Sequence, residues 1–138
     1  MRPAVNVRRD ARAGDALKVM LDNGGPGVPV VDDRGYLVGF VDDGHLLAST
    51  LPKFVTFVRF LPRSPEGADD WVRYHRSAVD RPIDELMDRE APSVDIEHSE
   101  IVAAHKMLRD GAPCVVVTEA GRVAGIVTRT DLYKAIIS

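Results

Sequence analysis

The sequence predicts an α+β fold, sandwich-like in its layers, in which two tandem β-α-β-β-α repeats pack about a pseudo-twofold axis. Two pairs of similar segments predict it. Residues 16–24 read ALKVMLDNG and residues 103–111 read AAHKMLRDG, and both show a helix that ends at glycine. Residues 35–49, GYLVGFVDDGHLLAS, match residues 121–135, GRVAGIVTRTDLYKA. Because these elements keep their order, we interpret them as an internal repeat.

The spacing between the copies is 87 residues in the first pair of segments and 86 in the second. The later copy is therefore one residue shorter. We expect the missing residue to lie between the helix and the second strand of that copy.

The first repeat, residues 1–49, is predicted to begin with a short strand at Ala4–Val7. A helix follows, with Asp15 as its candidate cap. The residues at the spacing of its buried face are Ala16, Leu17, Met20 and Leu21. The apolar run GVPVVD indicates a buried strand, and DDRG has the chemistry of a hairpin turn. YLVGFV is predicted to be the return strand of this hairpin, and GHLLAST is predicted to begin a second helix.

The second repeat, residues 83–138, is predicted to repeat this order. Its elements are a strand at SVDI, a helix from about Ser99 to Arg109, strands at PCVVVT and RVAGIV joined by EAG, and a helix from Thr130 onward. Cys114, the single cysteine, is predicted to be a small buried apolar residue. Since each repeat is too short for a large core of its own, we expect the two sheets to cover each other. The cleft between the repeats is then the natural ligand site.

The connector between the repeats, residues 50–82, has no counterpart after the second copy. It is predicted to be helical and rich in aromatic residues, with FVTFVRFL bracketed by Pro52 and Pro62. Two interpretations stay open. The connector packs internally over the sheet, or its aromatic and arginine side chains form a surface for a second subunit or a partner protein.

Composition excludes several classes of protein. The chain has 138 residues, of which 45% are apolar and 28% charged, and its formal net charge is -3. These values are typical of one globular domain and do not favour a general nucleic-acid surface. No apolar run approaches the roughly 20 residues that span a membrane. The first ten residues lack the apolar core of a signal peptide, so we expect a cytoplasmic protein that binds neither nucleic acid nor membrane.

The strand-to-helix junction GIVTRTDLYKA carries more polar groups than a helix start needs. Thr128 or Thr130 could cap the helix, with Asp131 well placed against the helix dipole. The same groups could also bind a ligand. Helix amides and threonine hydroxyls suit a phosphate, and a carboxylate suits the two hydroxyls of a ribose. The junction is therefore predicted to be a cap and, in addition, a phosphate-and-ribose clamp.

With GVPVVDDRGYLVGFV and GIVTRTDL in duplicated units, the chain resembles the cystathionine β-synthase (CBS) domain family. Two such units form a CBS pair, or Bateman module, and the resemblance covers all but the connector. It implies regulatory binding of AMP, ADP, ATP or S-adenosylmethionine between the repeats, and homodimerisation into a flat disc.

The resemblance also implies particular site residues. Thr128 and Thr130 match the positions that contact phosphate, and Asp131 matches the position that holds the ribose. The adenine end would be held by the other copy, at the first strand and the start of the second. Those positions are Val5, Asn6, Pro26 and Val28.

The first repeat departs from this motif. GFVDDGHLL puts Asp42 where Thr128 stands and His45 where Asp131 stands. A carboxylate at the phosphate position works against an anion, so we expect at most one nucleotide site per chain. Asp42 and His45 could share a metal ion, although a helix cap is the simpler interpretation.

The predicted function is a regulatory ligand-binding module without enzymatic activity. An adenosine nucleotide would bind between the repeats and signal to an effector protein. No catalytic residues and no resident metal are predicted. The alternative is a protein-interaction or dimerisation module whose ligand sites are degenerate, and a metal-responsive module is the third interpretation.

Overall fold

The structure is a computed structural model that describes residues 3–23, 25–44, 46, 79–98 and 100–137. Most of the connector, and with it both interpretations of its role, lies outside the described residues. The elements of the first repeat are β1 Val7–Arg8, α1 Ala13–Asn23, β2 Gly27–Val31 and β3 Leu37–Asp42. Those that follow the connector are α2 Ile83–Leu86, β4 Ser93–Asp95, α3 Glu100–Asp110, β5 Cys114–Glu119, β6 Arg122–Thr128 and α4 Arg129–Ile137.

The two repeats form two three-stranded sheets with the same topology. In the first sheet, β2 pairs in parallel with β1 and antiparallel with β3, and β5 does the same between β4 and β6. The pairing of β2 with β3 shifts between Val30 and Val31, and that of β5 with β6 shifts between Val117 and Thr118. Because even this irregularity recurs 87 residues later, the internal repeat is confirmed along with the predicted α+β class.

The missing residue lies in the hairpin turn, so our placement of it before the second strand was wrong. Val31 pairs with Leu37 across a five-residue connection, whereas Thr118 pairs with Val123 across a four-residue one. In the first turn, Asp32 Oδ1 accepts hydrogen bonds from the backbone amides of Arg34 and Tyr36. The second is closed by Ala120 and Gly121, whose φ angles of 52° and 82° fit a two-residue turn.

Helix α1 buries a slightly different face from the predicted one. Ala13, Ala16 and Met20 are buried, whereas the side chain of Leu21 is 76% exposed, so its assignment to the core was wrong. The helix begins one turn earlier than expected. Asp15 therefore lies inside the first turn, where its Oδ2 accepts the backbone N–H of Arg12. The first strand is also shorter than Ala4–Val7, since only Val7 and Arg8 pair with β2.

A core cluster between the sheets joins the two repeats. Phe40 from β3 lies with Cys114, Val116 and Ile126 from the second sheet, and Ala4, Leu37, Ala91 and Val123 pack around them. At the hairpin end, the Leu37 amide donates to the Gly121 carbonyl (3.0 Å), and the Val123 amide donates to the Gly35 carbonyl (3.4 Å). Leu37 is equivalent to Val123, and Gly35 is equivalent to Gly121. The two bonds are therefore related to each other by a pseudo-twofold axis between Tyr36 and Arg122.

Each repeat also has its own core between sheet and helices. The first cluster holds α1 and α2 against β1, β2 and β3, and includes Val28, Val30 and Ile83. The second holds α3 and α4 against β4, β5 and β6, with Leu132 as the contact from α4. Within the described ranges, the helices are all too short or too polar to cross a bilayer.

Candidate functional site

The junction between β6 and α4 is closed by Thr128 and Asp131. The Thr128 amide donates to Asp131 Oδ2 at 2.9 Å, and the Asp131 amide donates to Thr128 Oγ1 at 3.2 Å. Such a reciprocal pair is a capping box, with Thr128 as the cap and Asp131 at the third helical position. Thr128 is buried and Asp131 is half-buried. The capping interpretation is therefore confirmed for these two residues, while their predicted contacts with a ligand stay a prediction.

Thr130 and Arg129 lie in the same helical turn, and both are exposed. Thr130 stands at the second helical position, beside the amides that begin the helix. Arg129 is a residue that our sequence reasoning passed over. Its guanidinium donates to the carbonyl of Ala112 at 3.3 Å and so ties the helix start to the segment before β5. The sequence signal that could have identified it was the position of this cationic side chain between the two threonines of TRTD.

The four residues expected to hold the adenine end differ widely in accessibility. Val5 is 47% exposed and Asn6 is exposed, both just before β1. Pro26 is half-buried, and its carbonyl accepts the backbone N–H of Asp43. Val28 is 1% exposed and packs into the core of the first repeat with α1. A Val28 contact with a base would therefore involve its backbone.

Cys114 is the residue that connects Thr128 with the core between the repeats. It pairs with Thr128 across β5 and β6 and belongs to the central cluster, against which Ala4 packs. Thr128 and Asp131 are in direct contact with each other. That Val5 and Asn6 belong to the same site stays a prediction.

The corresponding junction of the first repeat is acidic. Asp42 ends β3 opposite Gly27, at the position equivalent to Thr128, and Asp43 follows it. Burial, together with the charges of the Asp42 and Asp43 carboxylates, raises the pKa of the Cys114 thiol to about 12. Asp42 lies two residues beyond Phe40 on β3, and Phe40 shares the central cluster with Cys114.

The metal alternative depends on His45, which lies outside the described residues. Among the described residues, no group of three or more His, Cys, Asp or Glu side chains is placed to hold a metal ion. A shallow pocket of about 410 Å³ lies elsewhere, at the hairpin end of the sheets, lined by Tyr36, Glu119, Ala120, Arg122, Val123 and Ala124. The guanidinium of Arg122 stands 5.3 Å from the centre of the Tyr36 ring. This pocket is at the opposite end of β6 from Thr128.

Comparison with known proteins supports the architecture. The CBS domain family model matches residues 1–51 and 83–138. A CBS domain-containing protein of Dictyostelium discoideum is 30% identical over 136 residues, which cover 95% of this chain and 83% of that protein.

Solved structures show the same fold. The CBS domain of a CBS domain-containing membrane protein from Sphaerobacter thermophilus is 28% identical, with a TM-score of 0.74, and the match covers 97% of this chain and 82% of that one. The CBS-pair protein CBSX2 from Arabidopsis thaliana is 25% identical, with a TM-score of 0.76 and coverage of 99% and 90%. A structure of CBSX2 in complex with AMP matches at 23% identity, a TM-score of 0.72 and coverage of 99% and 92%. With both repeats matched by the family model, this chain belongs to the CBS domain family, as a pair of CBS repeats.

Proposed function

We propose that this CBS pair is a non-enzymatic regulatory module that binds one adenosine ligand per chain, between its repeats. The observation that carries the proposal is the Thr128–Asp131 pair, which stands at a helix N-terminus on the strand pair nearest the other repeat. Support comes from the family and from CBSX2, a CBS-pair protein whose structure has been solved with AMP. The ligands considered are AMP, ADP, ATP and S-adenosylmethionine.

Each residue has a role in this proposal. Asp131 accepts hydrogen bonds from the ribose hydroxyls, because a carboxylate can accept two hydroxyl donors as a pair. Thr128 and Thr130, with the helix amides, contact the group at the 5′ position of the ribose. Val5, Asn6, Pro26 and the backbone of Val28 contact the base.

Regulation follows from differential affinity. The ligand touches both repeats, so it stabilises the arrangement of repeats that it fits best. A second copy of the chain or an effector protein in the cytoplasm responds to that change in the arrangement of the repeats. A homodimer fits this scheme, because equivalent helix positions on the two repeats carry the exposed side chains of Leu21 and Leu108.

The proposal is tested by thermal shift and titration calorimetry with AMP, ADP, ATP and S-adenosylmethionine. A ligand at 100 times its dissociation constant should add about 2.7 kcal/mol to the free energy of unfolding. Asp131→Ala should lose this gain. The matched control is Asp15→Ala, which removes the same kind of capping carboxylate from α1 and should keep it.

Two results would contradict the proposal. One is the absence of any shift with all four ligands. The other is a full shift in Asp131→Ala. Two equivalent sites per chain would contradict the part of the proposal that limits binding to one junction.

A protein-interaction module is the second candidate, favoured by a specific observation. Large apolar side chains are exposed on the helices of the second repeat: Ile101 79%, Leu108 86%, Tyr133 65%, Ile136 76% and Ile137 85%. Such side chains on adjoining helices are typical of a surface that another chain covers. In this case no adenosine ligand would shift the unfolding temperature, and self-association measured by sedimentation would weaken in Leu108→Glu.

A further inference from the structure

The pocket at the hairpin end is built where the two repeats meet. Its volume is about 410 Å³, and it is lined by Tyr36 of the first hairpin and by Glu119, Ala120, Arg122, Val123 and Ala124 of the second. Two backbone hydrogen bonds join the hairpins there, from Leu37 to Gly121 and from Val123 to Gly35. The side chains around the pocket are therefore carried by backbone that is fixed across the two repeats.

The apolar part of the lining has smaller side chains than the first repeat has at the same positions. Val123 and Ala124 on β6 are equivalent to Leu37 and Val38 on β3, at the spacing of 86 residues that relates these strands. Val123 and Ala124 are both half-buried. Side chains of the size found in the first repeat would fill part of this space, so the shorter ones leave an apolar wall that a ligand can contact.

Glu119 is not used by the turn that follows it. In the first hairpin the equivalent carboxylate is that of Asp32, which accepts two backbone amides of its own turn. The second turn is closed instead by residues with positive φ angles, Ala120 and Gly121. Within the part of the chain that the structure describes, the Glu119 carboxylate has no hydrogen bond and no ion pair. It therefore lines the pocket as an available acceptor.

Arg122 is held in place by the Tyr36 ring. Its guanidinium stands 5.3 Å from the ring centre, the distance of a cation–π contact. Gly121 permits the close approach of the ring, since a Cβ there would lie 3.0 Å from Tyr36 Cδ1. Arg122 and Glu119 oppose each other across β5 and β6, yet their charged groups form no ion pair. The stacked guanidinium therefore keeps the planar set of N–H donors that binds a carboxylate.

The two opposite charges define the class of ligand. Glu119 would repel a simple anion, and Arg122 would repel a simple cation, whereas an α-amino acid carries an ammonium and a carboxylate on one carbon. We propose that this pocket binds an α-amino acid with an apolar side chain. Its carboxylate contacts Arg122, its ammonium contacts Glu119, and its side chain packs against Val123 and Ala124. This inference goes beyond the proposed nucleotide site and does not depend on it.

NMR titration of the ¹⁵N-labelled full chain tests the proposal. The probes are leucine, leucinol, which lacks the carboxylate, and 4-methylpentanoate, which lacks the ammonium. Because the pocket is shallow and its charges are exposed, we expect a dissociation constant on the order of 1 mM for leucine. Leucine should shift the amides of residues 119–124 in a saturable way. Each analogue should bind about tenfold more weakly, from the loss of one charged hydrogen bond.

Variants of the lining residues separate the two charges and the apolar wall. Arg122→Gln should weaken leucine binding about tenfold. Glu119→Gln should weaken leucine binding similarly but tighten binding of 4-methylpentanoate, because a repelling carboxylate is gone. Ala124→Val introduces the side chain that the first repeat has at Val38 and should weaken all three probes by filling the pocket. Arg34→Gln is the matched control, since it removes an exposed guanidinium from the first turn, outside the pocket, and should change nothing.

Three results would overturn the proposal. One is the absence of a saturable shift with leucine at residues 119–124. Another is equal affinity of wild type for leucine and 4-methylpentanoate, which would remove the role of the ammonium and of Glu119. The third is an equal loss of leucine binding in Arg34→Gln and Arg122→Gln, which would show that the pocket is not where the amino acid binds.

Discussion

Thr128 and Asp131 show how one pair of side chains can satisfy a structural need and still be candidates for binding. The capping box satisfies two amides at the start of α4, and Thr128 pairs with Cys114, which packs in the core between the repeats. Thr130 is different, since it is exposed and the capping geometry does not need it. Capping thus explains two of the three residues that made this junction stand out.

Removing the cap should cost stability even without a ligand. Thr128→Ala deletes the hydroxyl that accepts the Asp131 amide, in a residue that is only 7% exposed. We expect the free energy of unfolding to fall by about 1 kcal/mol. Thr130→Ala, in the same turn but exposed, should stay within about 0.5 kcal/mol of wild type. Urea denaturation measures both, and equal losses in the two variants would contradict the capping assignment.

Cys114 offers a second prediction at this scale. Its pKa is raised to about 12 in the folded chain, against an ordinary value of 9.0. The folded state therefore holds its proton where the unfolded state loses it, and stability should fall as pH rises above about 9, by at most about 1.4 kcal/mol per pH unit. Urea denaturation at pH 8, 9 and 10 should show a smaller fall in Cys114→Ala. An identical pH dependence in the two proteins would refute the assignment.

Residue-level features were predictable where the physics is local. The polar cap and the buried cysteine followed from residue type and from the apolar run around Cys114. The exposure of Leu21 did not, because α1 begins at Ala13 and its buried face turns towards Ala13, Ala16 and Met20. Helical spacing alone allows either edge of an apolar stripe to face the core. The effect of the Asp42 and Asp43 charges on the pKa of Cys114 also depends on how the two sheets face each other, which no single segment encodes.

Among the elements, β2 and β5 begin differently and pack against different partners. Gly27 in β2 corresponds to Cys114 in β5, and Phe40 in β3 corresponds to Ile126 in β6. A Cβ at Gly27 would lie 2.4 Å from the Phe40 ring, so the large ring requires the absent side chain. In the second repeat, β5 has the small side chain of Cys114, and Ile126 on β6 is smaller than Phe40. The two hairpins therefore fill the shared core with pairs of side chains of different sizes.

The close approach of Gly27 and Phe40 can be tested with a double-mutant cycle. Gly27→Ala should lower the free energy of unfolding by about 2 kcal/mol, as expected for overpacking. Part of that loss should be absent when Phe40 is changed to Leu, because the added methyl group then meets a smaller neighbour. The relief will be partial, since the same Cβ would also lie 2.8 Å from the Val41 carbonyl. Strictly additive effects in chemical denaturation would argue against the direct contact.

Element order was predictable from the repeat, but the position of the missing residue was not. Both hairpins have turn residues of the correct types, so a lost residue could be placed on either side of the second strand. The answer came from pairing, because the register of β2 and of β5 keeps a spacing of 87 residues and that of β3 and β6 a spacing of 86. Strand register depends on partners distant in sequence, which the spacing of similar segments does not reveal.

At the scale of the whole molecule, neither repeat covers all of its apolar surface by itself. The central cluster takes side chains from both sheets, and the paired hydrogen bonds at Gly35 and Gly121 join the two hairpins. Further backbone bonds connect Phe40 with Asp88 in both directions, and Ile83 with Ala11. Helix α2, at the start of the second repeat, thus packs on the core of the first repeat.

We therefore expect the chain to unfold as one cooperative unit. The ratio of van't Hoff to calorimetric enthalpy should be close to one. Met20→Ala, in the core of the first repeat, should lower the melting temperature without splitting the transition. Two resolved transitions, or an enthalpy ratio of about one half, would show that the repeats unfold separately.

The pseudo-twofold axis between Tyr36 and Arg122 has an evolutionary consequence. Two identical chains assembled about a true axis must carry the same residues at both junctions, and every mutation appears twice. Joining both copies in one polypeptide removes that constraint while keeping the shared core. One junction carries Asp42–Asp43 and the other Thr128–Arg129. The two ends of the pseudo-symmetric molecule therefore differ in charge, and a partner could distinguish them.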